Sequence, residues 1–294
     1  MSAPLFQQAT LIGIGHIGSS IARALRKFDL VKRIVVTDMN ADALKEAEKL
    51  GLADAFVASA AAAVKDSDLV IVCVPIGAYA EVGPEIAAHL APGTTLTDVG
   101  SVKQAVIRDL GPHVPDGVHF IPGHPIAGTE HSGPASGFAE LFDGRWWVLT
   151  PLPGADPAAV ARLKQLWEKV GCRVEVMEPL HHDQILAITS HLPHLTAYTI
   201  VDTAAGLEES MKGEVIKFSA SGFRDFTRIA ASNPIMWRDI FLNNREAVLE
   251  MLGRFTEDLT ALQRAIRWGE ADKLEETFTR TRAIRRGIID AKQA

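Results

Sequence analysis

Gly123-His124-Pro125-Ile126-Ala127-Gly128-Thr129-Glu130 sets an ionisable imidazole among loop-forming glycines, directly after the strand-like run His119-Phe120-Ile121-Pro122. A histidine there can take up or release a proton near neutral pH. Ser101, in Asp98-Val99-Gly100-Ser101-Val102-Lys103, falls at the end of another strand-like run and forms a first constellation with His124. A second is Ser190-His191-Leu192-Pro193-His194, in a helical stretch where His191 and His194, three apart, share a face. Two histidines at that spacing could ligate a metal, but a third ligand is not evident and the glutamate of a zinc-protease helix is absent, so no metal site is expected. The third is Phe223-Arg224-Asp225-Phe226-Thr227-Arg228, where Arg228 could present a fixed fork to a carboxylate or simply form a surface ion pair. All three combine groups that hold or move protons and anions.

The elements that must position these groups begin at Thr10 to Ile14, an apolar run leading into Gly13-Ile14-Gly15-His16-Ile17-Gly18 and then the helix-like Ile21-Ala22-Arg23-Ala24-Leu25. Strand, glycine turn and helix in that order form a dinucleotide-binding pattern. Gly13 permits the tight turn, Gly15 lets the backbone approach a pyrophosphate, and Gly18 lets the helix pack close to the strand. His16 and Ile17 lie inside the turn, and free N–H groups at the helix start face the phosphates. The second strand, Arg33-Ile34-Val35-Val36-Thr37, ends at Asp38, about 20 residues past the last motif glycine, where an acid meets the ribose hydroxyls. An acid there repels a 2′-phosphate and positions 37–40 offer no Arg, which favours NAD over NADP. A helix cap or turn residue is the plainer reading of Asp38.

Strand-like segments continue at Asp68 to Pro75, a buried central strand whose end, Val74 and Pro75, lines the cofactor cleft, and at Thr94 to Asp98. In an open parallel sheet ligands bind beyond the carboxyl ends of the strands, where Ser101 and His124 both fall. Trp146 to Thr150 and Arg173 to Met177, joined by a helix from Pro157 to Val170, are expected to extend the sheet. Near Pro179 the alternation stops and amphipathic helices follow, including one long helix from Asn233-Pro234 to about Arg267. The expected fold class is α/β: a Rossmann-type parallel-sheet domain, residues 1–177, followed by an all-helical substrate-binding and dimerisation domain, residues 178–294.

At 294 residues the chain has room for two domains, or for one large one, with ample core; 47% apolar and 22% charged residues are ordinary for a globular protein. A net charge of −6 argues against non-specific nucleic-acid binding and requires a local basic cluster for any anionic substrate. Cys73 and Cys172 have neither framework nor metal spacing and are expected reduced, in or beside strands. With no signal-peptide pattern before Thr10 and no apolar run of membrane length, a cytoplasmic protein without nucleic-acid or membrane partners is expected.

Taken together these segments resemble the prephenate and arogenate dehydrogenase family, whose members make tyrosine precursors. The resemblance spans nearly the whole chain. It rests on the glycine turn at 13–18, Asp98 to Lys103, Gly123 to Glu130, Ser190 to His194, and Phe226-Thr227-Arg228-Ile229-Ala230 followed by Pro234-Ile235-Met236-Trp237-Arg238-Asp239. The glycine turn is common to many dehydrogenases, whereas the His-Pro-Ile-Ala-Gly, His-Leu-Pro-His and Asp-Phe-Thr-Arg segments in this order mark the family. The resemblance implies NAD-dependent oxidative decarboxylation of a cyclohexadiene bearing a ring carboxylate, a ring hydroxyl and a pyruvyl (prephenate) or alanyl (arogenate) side chain.

By the same resemblance His124 takes the hydroxyl proton, Ser101 orients the hydroxyl and the nicotinamide, Arg228 clamps the ring carboxylate, and His194 faces the side-chain end. Glu130, Asp183 and Trp237 match supporting or gating positions. Arg224 would favour the doubly anionic prephenate, while Asp225 and Glu130 could contact the amino group of arogenate; prephenate is the expected main substrate, with activity on both an open outcome. A symmetric homodimer is expected to cover the apolar faces of the long helices. The few residues before Thr10 leave no room for a fused mutase, so inhibition by tyrosine, if it occurs, is expected at the active site or dimer interface. Two other readings stand beside this one. A β-hydroxyacid dehydrogenase or imine reductase also pairs this cofactor fold with helices, but typically uses a Lys or Asp where this chain has His191 and His194. An NAD-sensing binding module would give no reason for His124, His194 and Arg228 to converge.

Overall fold

The structure, a computed structural model, describes residues 3–129, 131–206, 214, 217 and 220–290. By their contacts the residues form two compact units, Met1–Arg245 and Glu246–Ala294.

The first unit is built on β1 (Phe6–Ile12), β2 (Val31–Thr37), β3 (Ala55–Phe56), β4 (Leu69–Val72), β5 (Thr95–Asp98) and β6 (His119–Phe120), all parallel, in the spatial order β3-β2-β1-β4-β5-β6. This is the doubly wound order of the Rossmann fold, in which the direction of winding across the sheet reverses between β1 and β4. β4 shows why the sheet needs two covered faces. Its alternate residues Leu69 and Ile71 enter one apolar core, and Val70 and Val72 enter another. The first core is closed by α1 (His16–Lys27), α2 (Ala41–Lys49) and a helix described below. The second is closed by α3 (Ala60–Ala63), α4 (Tyr79–Ala87) and α5 (Lys103–Leu110). The strand β3 escapes the sequence pattern because two residues are too few to show a period.

Beyond β6 the structure departs from the expected extension. β7 (Gly123–Pro125), β8 (Trp146–Leu149) and β9 (Arg173–Val176) form a separate three-stranded sheet, β7 antiparallel to β8 and β8 parallel to β9. His119 N and Ile121 N donate to the Thr94 and Leu96 carbonyls, but Gly123 N, next on that side, goes to the Asp98 carboxylate and ends the parallel ladder. On the opposite edge the Pro122 carbonyl accepts from Thr150 N, and the chain turns so that His124 pairs with Val148. His124 therefore stands on a short strand rather than in a loop. This small sheet is anchored by Trp147, wholly buried and stacked on Trp167 of α6 (Pro157–Val170) with ring centroids 3.5 Å apart.

The helical part starts with α7 (Pro179–Leu186), which passes through a π-helical turn at Ala187–His191 into α8 (Leu192–Ala205). After α9 (Ser221–Thr227) comes α10 (Pro234–Asn243), capped by the Asn233 side chain, which accepts from Ile235 N and Met236 N. Trp237 and Ile240 of α10 join the second core of the parallel sheet. The long helix expected from Pro234 to Arg267 is two helices, because Asn244 leaves helical geometry and its side-chain amide donates to the Asp183 carbonyl and to His191. The second unit is formed of α11 (Arg245–Trp268), from Glu246 onward, and α12 (Ala271–Asp290). No described helix is long and apolar enough to cross a membrane.

Candidate active site

The glycine turn lies where the strand order reverses. Gly13 has φ +96°, and a Cβ there would sit 2.7 Å from the Cys73 carbonyl oxygen and 3.2 Å from Val74 N, so only glycine lets the turn press against the end of β4 that Val74 and Pro75 continue. Any Cβ on Gly18 would overlap the Gly13 carbonyl, which is the close helix–strand approach the motif requires. Gly15 has open space where a Cβ would project, and no side chain caps α1. The turn thus offers room and unclaimed N–H groups to a pyrophosphate. Asp38 accepts from Ile14 N and Asn40 N, both at 2.8 Å, tying the end of β2 to the turn; the cap of α2 is Asn40, not Asp38. Each carboxylate oxygen keeps a further lone pair for a ribose hydroxyl. His16 is buried, its Nδ1 3.0 Å from Ser136 Oγ and its Nε2 3.4 Å from Thr129 Oγ1, and burial lowers its pKa. Its contacts bring the segment after His124 back over the start of α1, beside the half-buried Ile17.

A buried ion pair holds the strand that carries His124. Lys103, wholly buried, donates from Nζ to Asp98 Oδ2 and to the Gly123 carbonyl, while Gly100 N (2.7 Å), Gly123 N (3.0 Å) and Tyr79 Oη (3.3 Å) also donate to Asp98. Ser101 is half-buried in this same turn, between Gly100 and Lys103. A Cβ on Gly123 would lie 2.9 Å from Trp147 Nε1 and 3.2 Å from the Asp98 carbonyl, so β5 and β7 can meet this closely only at a glycine.

The imidazole of His124 has its Nδ1 2.9 Å from Nε2 of His182, and His182 Nδ1 is 2.8 Å from Asp183 Oδ1. Asp183 also accepts from Lys103 N at 2.7 Å and Gln104 N at 2.9 Å, capping α5, which has no cap of its own. Burial drives the His124 pKa well below its ordinary value, with His182, Lys103 and His191 adding repulsion. Burial also lowers His182, against the opposing pull of Asp183. Lys103 is likewise lowered by burial, opposed by Asp98. Next along the helices, His191 shares Asn244 Nδ2 at 3.1 Å and is pushed by burial down to about 4. His194 stacks on Trp237, ring centroids 3.6 Å apart, donates from Nδ1 to Ser190 O, and has a pKa lowered by burial with a further contribution from the Arg228 charge.

The structure thus brings His194, Trp237 and Arg228 into one neighbourhood, and His124, Asp183 and Ser101 into another linked to it through His191. Arg224 and Asp225 are exposed on α9. Glu130 lies outside the described residues. The two oxygens of Asp183 are engaged by the α5 main chain and by His182, so this residue works inward, on other protein groups. Three participants escape a reading of the sequence: His182, Lys103 and Asn244. Of the pair His181-His182 only the second is buried, and the adjacent Asp183 is the one local hint to it.

A parallel sheet with a glycine turn at its switch point, an acid ending β2 and a neutral imidazole at the carboxyl end of β6 defines a dinucleotide-dependent dehydrogenase. Residues 21–176 match the family model described as prephenate dehydrogenase, nucleotide-binding domain, and residues 178–280 the model described as prephenate dehydrogenase, dimerization domain. The chain belongs to the prephenate dehydrogenase family. It is 38% identical to a cyclohexadienyl dehydrogenase of Zymomonas mobilis over 96% of both chains. It resembles the crystal structure of prephenate dehydrogenase from Aquifex aeolicus in complex with hydroxyphenyl propionate and NAD+ (TM-score 0.89, 34% identity, 96% of this chain and 98% of that one). It also resembles arogenate dehydrogenase of Synechocystis (TM-score 0.81, 26% identity, 96% and 100% covered).

Proposed function

We propose that this chain oxidises prephenate with NAD, releasing carbon dioxide and 4-hydroxyphenylpyruvate, and that arogenate is a second substrate, giving tyrosine. The observation that carries the reading is His124: an imidazole held neutral by burial, fixed on the strand that follows β6, in a nucleotide-binding fold with a complete glycine turn and Asp38.

Gly13, Gly15 and Gly18 with the first turn of α1 would hold the pyrophosphate, Asp38 the adenosine ribose, and Val74 and Pro75 the wall toward the nicotinamide. Bound NAD supplies the hydride acceptor. His124 takes the ring hydroxyl proton as the carbinol carbon gives up its hydride and becomes a carbonyl. The carbon–carboxylate bond then breaks, its electron pair enters the ring, and the ring oxygen regains a proton as the phenol. Aromatisation drives the sequence, so the protein's task is alignment and proton acceptance. Ser101 orients the hydroxyl, Arg228 forks the ring carboxylate, and His194, braced by Trp237, meets the side-chain carboxylate or amine. Arg224, Asp225 and Glu130 set the preference between pyruvyl and alanyl substrates.

We further propose a division of labour at 177/178, with residues 1–177 binding NAD and residues 178–294 forming substrate contacts and a homodimer. The apolar Leu249, Leu259, Ile266, Phe278 and Ile284, each more than half exposed on α11 and α12, support a partner of the same kind. A cytoplasmic location suits such a biosynthetic enzyme. Purified protein should form NADH from NAD with prephenate, more slowly with arogenate, and much less with NADP in place of NAD. No reduced cofactor from either substrate would refute the assignment.

A further inference from the structure

The hydrogen-bond polarity of the chain Asp183–His182–His124 can be followed atom by atom. Asp183 is acceptor-only as a carboxylate, and its Oδ1 is 2.8 Å from His182 Nδ1, so His182 carries its proton on Nδ1. A neutral His182 then has a bare lone pair on Nε2. That atom is 2.9 Å from His124 Nδ1, and two lone pairs cannot face one another at that distance, so the hydrogen belongs to His124 Nδ1. The remaining His124 nitrogen, Nε2, is left as a proton acceptor. His182 is wholly buried and His124 half-buried, so little water reaches these bonds.

We infer that His182 is a positioning residue for the dehydrogenation: held by Asp183, it fixes His124 as the Nδ1–H tautomer and so makes Nε2 the base. This rests on His124 being the proton acceptor proposed above. The anchor of the chain is rigid, because Asp183 is tied to the start of α5 through Lys103 N and Gln104 N, and the Asp183 main chain is held by Asn244. The same α5 start supplies the Lys103 ammonium that holds the Gly123 carbonyl, so both ends of the His124–His182 bond are set by one helix terminus. Once His124 has taken the substrate proton, its Nδ1–H still points at a lone pair with a carboxylate behind it. The new positive charge is therefore stabilised where it forms, much as the third member of a catalytic triad stabilises an imidazolium.

The tautomer is read in the resting protein. Long-range proton–nitrogen NMR on the full chain labelled with ¹⁵N-histidine at pH 8, with His124→Asn used to assign the signal, should show His124 protonated on Nδ1 and bare on Nε2. A resting His124 protonated on Nε2 would overturn the inference. Kinetics give an independent reading. His182→Phe should lower kcat by roughly 10²-fold, the lower end of what a general base contributes, with the NAD dissociation constant and the prephenate KM within about twofold of wild type. His182→Gln keeps an oxygen acceptor toward His124 and an N–H donor toward Asp183, and should restore kcat to within about tenfold. Full activity in His182→Phe, or a Gln variant no better than Phe, would count against a positioning role. Should the Phe variant not fold, the NMR signal and the Gln variant still decide. Failure of the base assignment itself is seen separately, as a His124→Asn enzyme that turns over normally.

Discussion

Lys103→Met tests the wholly buried ion pair of the first unit. The ammonium is wholly buried and has two partners, Asp98 Oδ2 and the Gly123 carbonyl. Methionine fills a similar volume but leaves the Asp98 carboxylate buried with only neutral donors, Gly100 N, Gly123 N and Tyr79 Oη, and leaves the Gly123 carbonyl without its lysine. Breaking a buried pair from one side costs about 3–5 kcal/mol, because the surviving charge stays desolvated. Set against a total stability of about 5–15 kcal/mol that is a large fraction, and at about 2–4 °C per kcal/mol it corresponds to a fall in Tm of roughly 6–20 °C. The double variant Asp98→Asn, Lys103→Met removes both charges while the asparagine oxygen still accepts from the main chain. It should therefore be more stable than Lys103→Met alone. Urea and thermal unfolding followed by circular dichroism, on wild type, both singles and the double, complete the cycle. A Lys103→Met protein within about 1 kcal/mol of wild type, or a double variant no better than that single, would refute the electrostatic account. The kinetic counterpart has a definite sign. Lys103 helps to lower the His124 pKa, so in any Lys103→Met enzyme that folds, the acid limb of kcat/KM should move to higher pH.

Other consequences can be checked with the same preparations. His124→Asn should bind NAD as wild type does while turnover falls by roughly 10²-fold or more; unchanged turnover removes it from the mechanism. Gly18→Ala gains helix propensity of about 1 kcal/mol but drives a Cβ into the Gly13 carbonyl. A net loss of up to about 2 kcal/mol of stability is expected after overpacking, with weakened NAD binding by calorimetry; equal NAD affinity together with a raised Tm would contradict the close packing. Arg228→Ala should raise the prephenate KM by roughly 10- to 150-fold, the loss of a charge-assisted pair worth about 1.5–3 kcal/mol, with a much smaller change in kcat. For pH, burial holds His191 at about 4 and lowers His124 and His182 too. The unfolded chain protonates such histidines near 6.5 and so binds more protons than the native one. The His191 contribution is complete above pH 6.5 and is lost as pH falls toward 4, by about 1.4 kcal/mol per pH unit, and those of His124 and His182 are lost in the same direction. His191→Asn should flatten the urea midpoint against pH over that window, and an unaltered slope would exclude His191 as a source.

The parallel sheet was open to a sequence reading because its strands carry their own signature. Val70 and Val72 face one core and Leu69 and Ile71 the other, so a continuous apolar run is what a strand covered on both sides requires. The glycine turn is equally local, since Gly13 and Gly18 each meet a distinct steric demand within one connection and Gly15 leaves open space between them. Where the expectation of a seven-stranded extension failed, the cause was not local. Trp146 to Leu149 is strand-like in any sheet, and what places it beside β7 is non-local: Gly123 N is taken by the Asp98 carboxylate, and Trp147 stacks on Trp167. The break at Asn244 is of the same kind. Its apolar stripe runs on without interruption, and what ends α10 is a side-chain amide needed 61 positions earlier in the chain, at the Asp183 carbonyl.

Residues proposed to meet a ligand were easier to single out than residues that touch only each other. His124, His194 and Arg228 stand in short motifs whose composition is chemical, so a motif is enough to raise them. His182 differs: apart from the adjacent Asp183, little about a histidine on the first turn of a helix distinguishes it from its exposed neighbour His181, and its meaning comes from a partner 58 positions away. Lys103 is concealed for the opposite reason. A lysine opening a helix reads as a solvated charge, and its complete burial follows only from Asp98 and the Gly123 carbonyl converging on it from β5 and β7. Both hidden residues act through the start of α5, where Asp183 caps the main chain of the helix whose lysine holds β7. A change there alters the orientation and the charge of His124 together, so variants at Lys103 and Asp183 should be non-additive with His182→Gln in kcat, whereas Arg228→Ala, acting on the substrate carboxylate, should combine with it additively.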